Sequence, residues 1–247
     1  MDYSKYHRDK TYTDFENHFR NIFRKRVNII ENYKSAPSSP LKIVNSRQRR
    51  VLDIGASTGT MLDIFKEKGF ETWGVEPSVV AAQSAKRRGH RILVNYFEKT
   101  KLPQNYFDEV IMNHTLEHLD NPLVVLKKIH KILIKNGILL IDVPNAGGLG
   151  SKILGDRWPY KLPNEHRYQF TKDSLSKIFI SSGFEVIHFE SRSGIFEFAN
   201  PLQEIWESLI TLKKRFFTNL INIPYDVLVT SINMGDSMTM VGKKNED

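Results

Sequence analysis

The sequence of 247 residues contains no cysteine. Disulfide bonds and metal sites built on thiolates are therefore excluded, and the absence fits a reducing compartment. Long apolar runs are also missing, because no stretch approaches the roughly 18–20 residues that cross a bilayer. The opening stretch, MDYSKYHRDKTYTDF, lacks the apolar segment of a signal peptide. We therefore expect a cytoplasmic protein.

Little in the sequence indicates a nucleic-acid partner. The formal net charge is +8, but Lys and Arg are scattered in short clusters at 24–26, 47–50, 86–88 and 213–215. No segment alternates basic and aromatic residues as an RNA-binding strand does. A solvated surface is the simplest interpretation of each cluster, and no nucleic-acid partner is expected.

The apolar pattern changes along the chain and indicates its organisation. Helical spacing of apolar residues over 12–34 predicts one or two N-terminal helices, followed by a Ser/Pro-rich linker. Short apolar runs then alternate with amphipathic segments, which predicts an α/β domain with a doubly wound, mainly parallel sheet. We divide the chain into an N-terminal helical extension, 1–45, and a domain, 46–247, with a helical insert at about 195–235.

The individual elements follow from buried runs and from helix boundary signals. Strands are predicted at 50–55, 71–77, 91–95, 107–113, 137–144, 184–190 and 237–244. Helices are predicted between them at 58–68, 78–88, 122–133 and 173–183.

A glycine-containing loop follows the first predicted strand. That strand ends at Gly55 and a helix begins just after Gly59, where ligands of doubly wound sheets bind. The dinucleotide fingerprint G-x-G-x-x-G fails at Ser57 and Thr60, which disfavours a pyrophosphate ligand. The second strand ends at Glu76, a carboxylate suited to ribose hydroxyls. Although such turns also need glycine for structural reasons, the combination predicts a nucleoside site.

Four stretches resemble class I S-adenosylmethionine-dependent methyltransferases, in the branch of ubiquinone-biosynthesis and natural-product O-methyltransferases. They are VLDIGASTGTMLDIFKEKGFETWGVEPS, FDEVIMNHTLEHLDNP, GILLIDVPN and NEHRYQFTKDSLSKIFISSGFEV. The closing GDSMTMVGKK is similar to the last strand of that family. The resemblance implies a Rossmann-like seven-stranded sheet with an antiparallel last strand. It also implies S-adenosyl-L-methionine as the cofactor and a small-molecule acceptor of the methyl group.

The resemblance also implies which residues bind the cofactor. They are Asp53, Gly55, Ala56, Ser57, Gly59, Glu76, Pro77, Tyr96, Phe97, Asn113 and His114. In this scheme Asp53 supports the glycine loop, Glu76 holds the ribose, and Tyr96 and Phe97 flank the adenine. The chain departs from the family pattern at Ser57, where glycine is usual, and at Tyr96, where Asp is frequent. The serine Cβ near the cofactor could reduce affinity.

The resemblance places Asn113 and His114 beneath the sulfonium. If the methyl acceptor is a hydroxyl, a histidine can take its proton. Our first candidate for this base is His166, in a polar-aromatic loop, and the second is His114. A loop histidine bonded to backbone remains the alternative for His166, as does a cofactor contact for His114. Substrate-binding candidates in the same region, unless they serve packing, are Trp158, Tyr160 and Tyr168.

The insert at about 195–235 carries apolar residues at helical spacing. It predicts either a lid over an apolar acceptor, with basic residues that could contact a membrane surface, or a helix packed on the sheet or on a partner. A monomer and a homodimer both remain open.

Three functions compete on the sequence alone. The first is methylation, most readily at oxygen, of an apolar, lipid-like, secondary-metabolite or sugar substrate. The second is a non-catalytic S-adenosylmethionine-binding protein of the same fold, and the third is a nucleic-acid methyltransferase.

The string His114-x-x-Glu117-His118 matches an inverted zinc-protease pattern. That site needs a continuous helix through both histidines and a third ligand. Here a predicted strand runs into the motif, and a helix starting at Pro122 follows it. We therefore expect a turn that contributes to the methyl-transfer site, with His118 as a structural or surface residue. No metal is expected.

Overall fold

A computed structural model describes residues 15–35, 47–210 and 214–245. Seven strands form one sheet: β1 Arg50–Ile54, β2 Glu71–Val75, β3 Arg91–Leu93, β4 Phe107–Asn113, β5 Leu133–Pro144, β6 Phe184–Arg192 and β7 Ser237–Lys244. The helices are α1 Glu16–Ser35, α2 Thr60–Glu67, α3 Val79–Arg87, α4 Pro122–Ile132, α5 Leu149–Leu154, α6 Lys172–Ser181, α7 Pro201–Ile210 and α8 Lys214–Ser231.

The strand order is β3-β2-β1-β4-β5-β7-β6. Strands β1 to β5 pair in parallel, whereas β7 lies between β5 and β6 and runs antiparallel to both. The predicted seven-stranded sheet with an antiparallel last strand is therefore confirmed. The strand order reverses between β1 and β4. The connections that follow these two strands therefore run to opposite faces of the sheet and leave a crevice between them.

Local signals explain where the helices begin. Asn121 accepts a hydrogen bond from the Val124 N–H at 3.2 Å, and Pro122 occupies the first turn of α4. Thr171 and Ser174 form a reciprocal capping box at α6. The predicted helices and strands are present, with β5 starting earlier than expected, at Leu133. The proposed linker after Ser35 and the proposed domain boundary at 45/46 lie outside the described residues.

Two apolar clusters fill the two faces of the sheet. The first packs β-strand side chains against α4 and α6, including Leu126 and Phe179. The second packs them against α1, α2 and α3, including Val27 and Phe65. Helix α1 thus belongs to the core of the domain, because its residues Phe23, Val27 and Ile30 are almost fully buried.

The predicted insert before the last strand is helical. A short 3-10 turn, Gly194–Glu197, leads into α7 and α8, which return the chain to β7. Within the described parts of the chain, no helix combines the length and the apolar character needed to cross a membrane.

Candidate active site

A cleft lies at the carboxyl ends of β1 and β4, where the strand order reverses. This is the position at which doubly wound sheets bind ligands. The lining comes from helix α1, the end of β1, the β1–α2 loop, the first turn of α2 and the end of β4: Phe23, Asp53, Gly55, Ala56, Ser57, Thr58, Thr60, Met61 and Asn113. The structure therefore brings together the predicted loop residues and Asn113.

Some of the lining residues are not apparent from the sequence. Thr58 lies between the two loop glycines and Thr60 directly follows the second, so their position alone could have indicated them. Phe23 lies on α1 and is 5% exposed. Its sequence pattern predicts only a buried helix face, because the packing of α1 beside the β1–α2 loop is a long-range contact.

The backbone of the β1–α2 loop requires small residues. Gly55 has φ +83°, and a Cβ at this position would lie 2.5 Å from Thr115 Oγ1. Ser57 also has a positive φ, 46°. A non-glycine residue in this left-handed region costs roughly 1–2 kcal/mol. The glycine that the family resemblance leads one to expect at position 57 would avoid that strain.

The end of β2 holds this loop through Glu76. One carboxylate oxygen accepts the Ser57 N–H at 2.9 Å, and the other accepts the Ser78 N–H at 2.7 Å. Glu76 is 8% exposed. A carboxylate offers about four acceptor positions, two of which these backbone N–H groups occupy. Gly59 precedes α2 with φ +85°, close to Ala85, and Pro77 directly follows Glu76.

The carboxyl groups of Asp53 and Glu76 influence each other at the cleft. Burial, and then the negative charge of Glu76, raise the pKa of Asp53 to about 7. Two neighbouring carboxyl groups in a cleft favour a ligand that carries positive charge, because such a ligand relieves their mutual repulsion.

The two predicted adenine contacts lie after β3, outside the set of residues that line the cleft. Phe97 is 3% exposed and belongs to the core cluster under α4, with Lys128 Nζ 4.6 Å from its ring centroid. Tyr96 is half-buried, with Lys99 Nζ 5.5 Å from its ring centroid. Contacts of either residue with adenine remain predictions.

The loop that carries His166 is attached to the turn after β4. The N–H groups of Arg167 and Tyr168 both donate to the Glu117 carbonyl, at 2.9 and 3.2 Å. Because these are backbone bonds, they fix the loop beside the 3-10 turn Leu116–His118. The loop therefore lies at the carboxyl end of β4.

Two histidine rings meet where this loop and this turn touch. The ring centroids of His118 and His166 are 4.8 Å apart. Each Nδ1 lies 2.9 Å from a backbone carbonyl, that of Glu165 for His118 and that of Tyr160 for His166. Since a carbonyl can only accept, each Nδ1 carries the hydrogen in the neutral ring, and each Nε2 carries a lone pair.

Glu117 lies beneath the histidines with a side chain that is 1% exposed. Its Oε1 is 3.4 Å from His114 Nδ1 and 3.9 Å from His166 Nε2. Burial lowers the pKa of His166 and outweighs the opposing effect of Glu117. His114 differs, because its Nε2 also lies 3.5 Å from Asp142 Oδ1. Burial lowers the pKa of His114, but the two carboxylates outweigh it, so the net shift is upward.

Asp142 is the centre of a buried ionic network at the end of β5. Its Oδ2 accepts from Arg192 Nη2 at 2.5 Å and lies 3.2 Å from Arg26 Nε. The Thr239 hydroxyl also donates to Oδ2, and the Ser237 hydroxyl donates to Oδ1. Burial alone would raise its pKa, but the two guanidinium groups hold it well below the usual range. The network joins α1, β5, β6 and β7 directly beside His114.

The three predicted substrate-binding aromatics have different environments. Trp158 is 4% exposed, and its indole N–H donates to Asp236 at 2.9 Å, as expected of a packing residue. Tyr160 and Tyr168 are 44% and 38% exposed. The Tyr168 hydroxyl donates to the Asp120 carbonyl at 2.9 Å, and its ring stacks on Phe170.

The inverted zinc-protease pattern does not form a continuous helix. Residues Leu116–His118 form one 3-10 turn and α4 begins at Pro122, as the sequence predicts. The third donor that this pattern lacks locally comes instead from the distant loop. Glu117, His118 and His166 each place a potential ligand atom within 4.8 Å of the others.

Comparison with known proteins shows the family of the chain. The chain matches the family described as "Methyltransferase domain" over residues 24–189. It is 28% identical over 109 residues to the ubiquinone biosynthesis O-methyltransferase of Histophilus somni, covering 40% of this chain and 46% of that protein. The chain spans about half the length of the curated relatives that it matches.

Two solved structures show the same fold. A SAM-dependent methyltransferase from Archaeoglobus fulgidus has a TM-score of 0.59 at 21% identity, over 94% of this chain and 99% of that one. Phosphoethanolamine N-methyltransferase 2 from Haemonchus contortus, in complex with phosphomonomethylethanolamine and S-adenosylhomocysteine, has a TM-score of 0.64 at 15% identity, over 98% and 58% of the two chains.

Proposed function

The chain belongs to the family of S-adenosylmethionine-dependent methyltransferases, and on that premise we propose that it methylates a hydroxyl group of a small, apolar acceptor. The observation that carries the proposal is the cleft between β1 and β4, with the Ser57 loop and Glu76 joined at its edge. The O-methyltransferase among the relatives supports oxygen as the methylated atom.

The residues of the cleft fit the cofactor. Glu76 would hold the ribose hydroxyls, since it is a carboxylate at the end of β2 that contacts the Ser57 loop. Asp53 would favour the positive charge of the ligand, and Gly55 and Ala56 would let the backbone approach it. S-adenosyl-L-methionine supplies an electrophilic methyl group on a sulfonium sulfur. Asn113 and His114, at the end of β4, would border that group.

Position and exclusion of water are the main contributions of the protein to such a transfer. The acceptor would lie under the loop that carries His166, whose Nε2 lies 3.9 Å from Glu117 Oε1. His166 would act on the acceptor hydroxyl, while His114 lies between two carboxylates and would contribute charge. Tyr160 and Tyr168 would form part of the acceptor site, with Trp158 as a buried wall behind them.

The helical insert supports an apolar acceptor. Three large side chains of α7 and α8, Leu202, Trp206 and Ile221, are 77%, 62% and 75% exposed. Such a surface would let the insert act as a lid or contact a membrane from which an apolar acceptor is taken. The basic residues at 213–215, which suggested membrane contact in the sequence, have side chains outside the described set.

A labelling experiment tests the function and does not require the acceptor to be identified in advance. The protein is incubated with methyl-labelled cofactor and a cell extract, which is then separated into small molecules, nucleic acid and protein. We expect label in the organic-soluble small-molecule fraction. His166→Ala should lower transfer by roughly 10²–10⁴-fold, the usual contribution of a positioned acid–base group.

The distribution of the label also separates the alternatives. Label in nucleic acid would instead support a nucleic-acid methyltransferase. Cofactor binding with no label in any fraction would support a non-catalytic binding protein, and both results would contradict the proposal. His188→Ala is the control, since His188 is on β6, outside the His114–His166 group.

A further inference from the structure

Three side chains outside the cofactor cleft form a group with metal-ligand chemistry. We propose that Glu117, His118 and His166 bind a divalent transition-metal ion. Their ligand atoms lie within 4.8 Å of one another. Ligands of a bound ion at 2.0–2.2 Å lie about 3–4 Å apart, so contraction by about one ångström would complete the site.

The backbone already orients both imidazoles for this role. His118 and His166 each direct Nδ1 at a carbonyl oxygen, 2.9 Å away in both cases. Metal-bound histidines almost always donate the other ring N–H in this way, because the bond fixes the tautomer and the ring orientation. These bonds place the ring hydrogen on Nδ1, so Nε2 is the atom through which each ring would ligate an ion.

The Glu117 carboxylate gives an independent indication. Its side chain is 1% exposed, and among the described residues neither of its oxygens accepts a hydrogen bond of good geometry. A buried carboxylate without such partners is costly, and a cation that it coordinates removes that cost. The nearest His166 atom is the Nε2 that would share the ion, at 3.9 Å.

The donor set selects the class of ion. Two imidazoles and one carboxylate suit Zn²⁺ and similar transition metals, whereas Mg²⁺ and Ca²⁺ prefer oxygen ligands. Three protein ligands also leave a coordination position open, as in catalytic sites. That position would be close to His114, whose Nδ1 lies 3.4 Å from Glu117 Oε1 and whose neighbour Asn113 lines the cleft.

The role of the ion rests on the proposed function, although its binding does not. An acceptor hydroxyl at the open position would donate an oxygen lone pair to the ion, and its O–H bond would become more acidic. The proton would pass to solvent. In this scheme the Nε2 of His166 is a ligand of the ion and does not itself take the proton, so the effect of His166 on the acceptor hydroxyl is exerted through the ion.

Equilibrium dialysis of the full chain against Zn²⁺ alone, without cofactor or acceptor, tests the binding. We expect one ion per chain. Glu117→Gln and His166→Asn should each weaken binding at least about tenfold, since even indirect supports of metal ligands contribute 10–100-fold. The matched control is His188→Ala, which removes a histidine 3.5 Å from a glutamate, Glu190, and should leave binding unchanged.

A second readout guards against variants that fold poorly. Zn²⁺ should raise the melting temperature of the wild-type chain and of His188→Ala, but not that of Glu117→Gln. Co²⁺ should give a visible absorption band that the Glu117→Gln variant loses. Absence of stoichiometric Zn²⁺ in the wild-type chain, or binding that Glu117→Gln and His166→Asn leave unchanged, would overturn the site. Failure of methyl transfer alone would not affect it.

Discussion

The Glu76 carboxylate accepts the backbone N–H of Ser57 at 2.9 Å, so the end of β2 holds the loop that follows β1. The same carboxylate accepts the N–H of Ser78 at the start of α3. One side chain thus fixes two adjacent loops at the cleft. Any ligand that binds Glu76 is therefore coupled to the position of the loop containing Ser57.

Ser57→Gly should strengthen cofactor binding. Ser57 has φ 46°, and glycine adopts this conformation without the strain of a Cβ. Removing the Cβ also gives the cofactor more room, so we expect affinity to rise by up to about tenfold, equivalent to about 1.4 kcal/mol. Isothermal titration with S-adenosylhomocysteine measures the change. Ser57→Ala keeps the Cβ and serves as the control, and weaker binding by the glycine variant would contradict the prediction.

Asp142→Ala should destabilise the fold strongly. It removes the more deeply buried of the two carboxylates, Asp142 and Glu197, that the guanidinium groups of Arg26 and Arg192 share. Removing one partner of a buried ionic network typically costs about 3–5 kcal/mol. The free energy of unfolding in urea gives the value. Glu185→Gln, which removes an exposed partner of Lys243, should change it by less than about 1 kcal/mol. Equal effects of the two substitutions would be incompatible with the described network.

Asp53→Asn should remove part of the pH dependence of stability. The pKa of Asp53 is raised from 3.8 to about 7, so the folded chain favours the protonated form. The stabilisation is complete below the unfolded pKa and is lost as pH rises through 7. At 1.36 kcal/mol per pKa unit, the loss is up to about 4 kcal/mol. Melting temperatures from about pH 5 to about pH 8 should fall less in the variant, and parallel curves would contradict this account.

The exposed apolar side chains of α7 should support membrane contact. We expect the wild-type chain to float with anionic liposomes and Trp206→Glu to float less, because its indole is 62% exposed. Ile153→Glu, on α5, is the control, since Ile153 is 68% exposed at a different position. No flotation of the wild-type chain, or equal losses in both variants, would rule out contact through α7.

The parallel part of the sheet could be predicted because its signals are local. RVLDI and FDEVIMN are short apolar runs between helix and turn signals, and Asn121 with Pro122 marks a helix start without ambiguity. The candidate cofactor site could be proposed from the sequence for the same reason. Gly55 and Glu76 end successive strands, and parallel strands place their carboxyl ends at one edge.

The features that could not be predicted from the sequence depend on contacts between residues far apart in the chain. The side chains of Arg26 and Arg192 pair with Asp142 across 116 and 50 residues, and no local pattern indicates such pairs. The helical spacing of α1 predicts a buried face but not that Phe23 lines the cleft. The sequence predicts only a structural or surface role for His118. Its partner in the proposed metal site, His166, is 48 residues away, and backbone hydrogen bonds between the two loops bring the histidines together.

Calorimetric titration of the wild-type chain with S-adenosyl-L-methionine tests the central claim most directly. The account predicts one binding site. The affinity should be at least about tenfold lower in Glu76→Gln, because this variant keeps an acceptor for Ser57 but loses the charge. The affinity should not change in Glu67→Gln, at the exposed end of α2. Absence of binding by the wild-type chain, or equal affinity in Glu76→Gln, would contradict it.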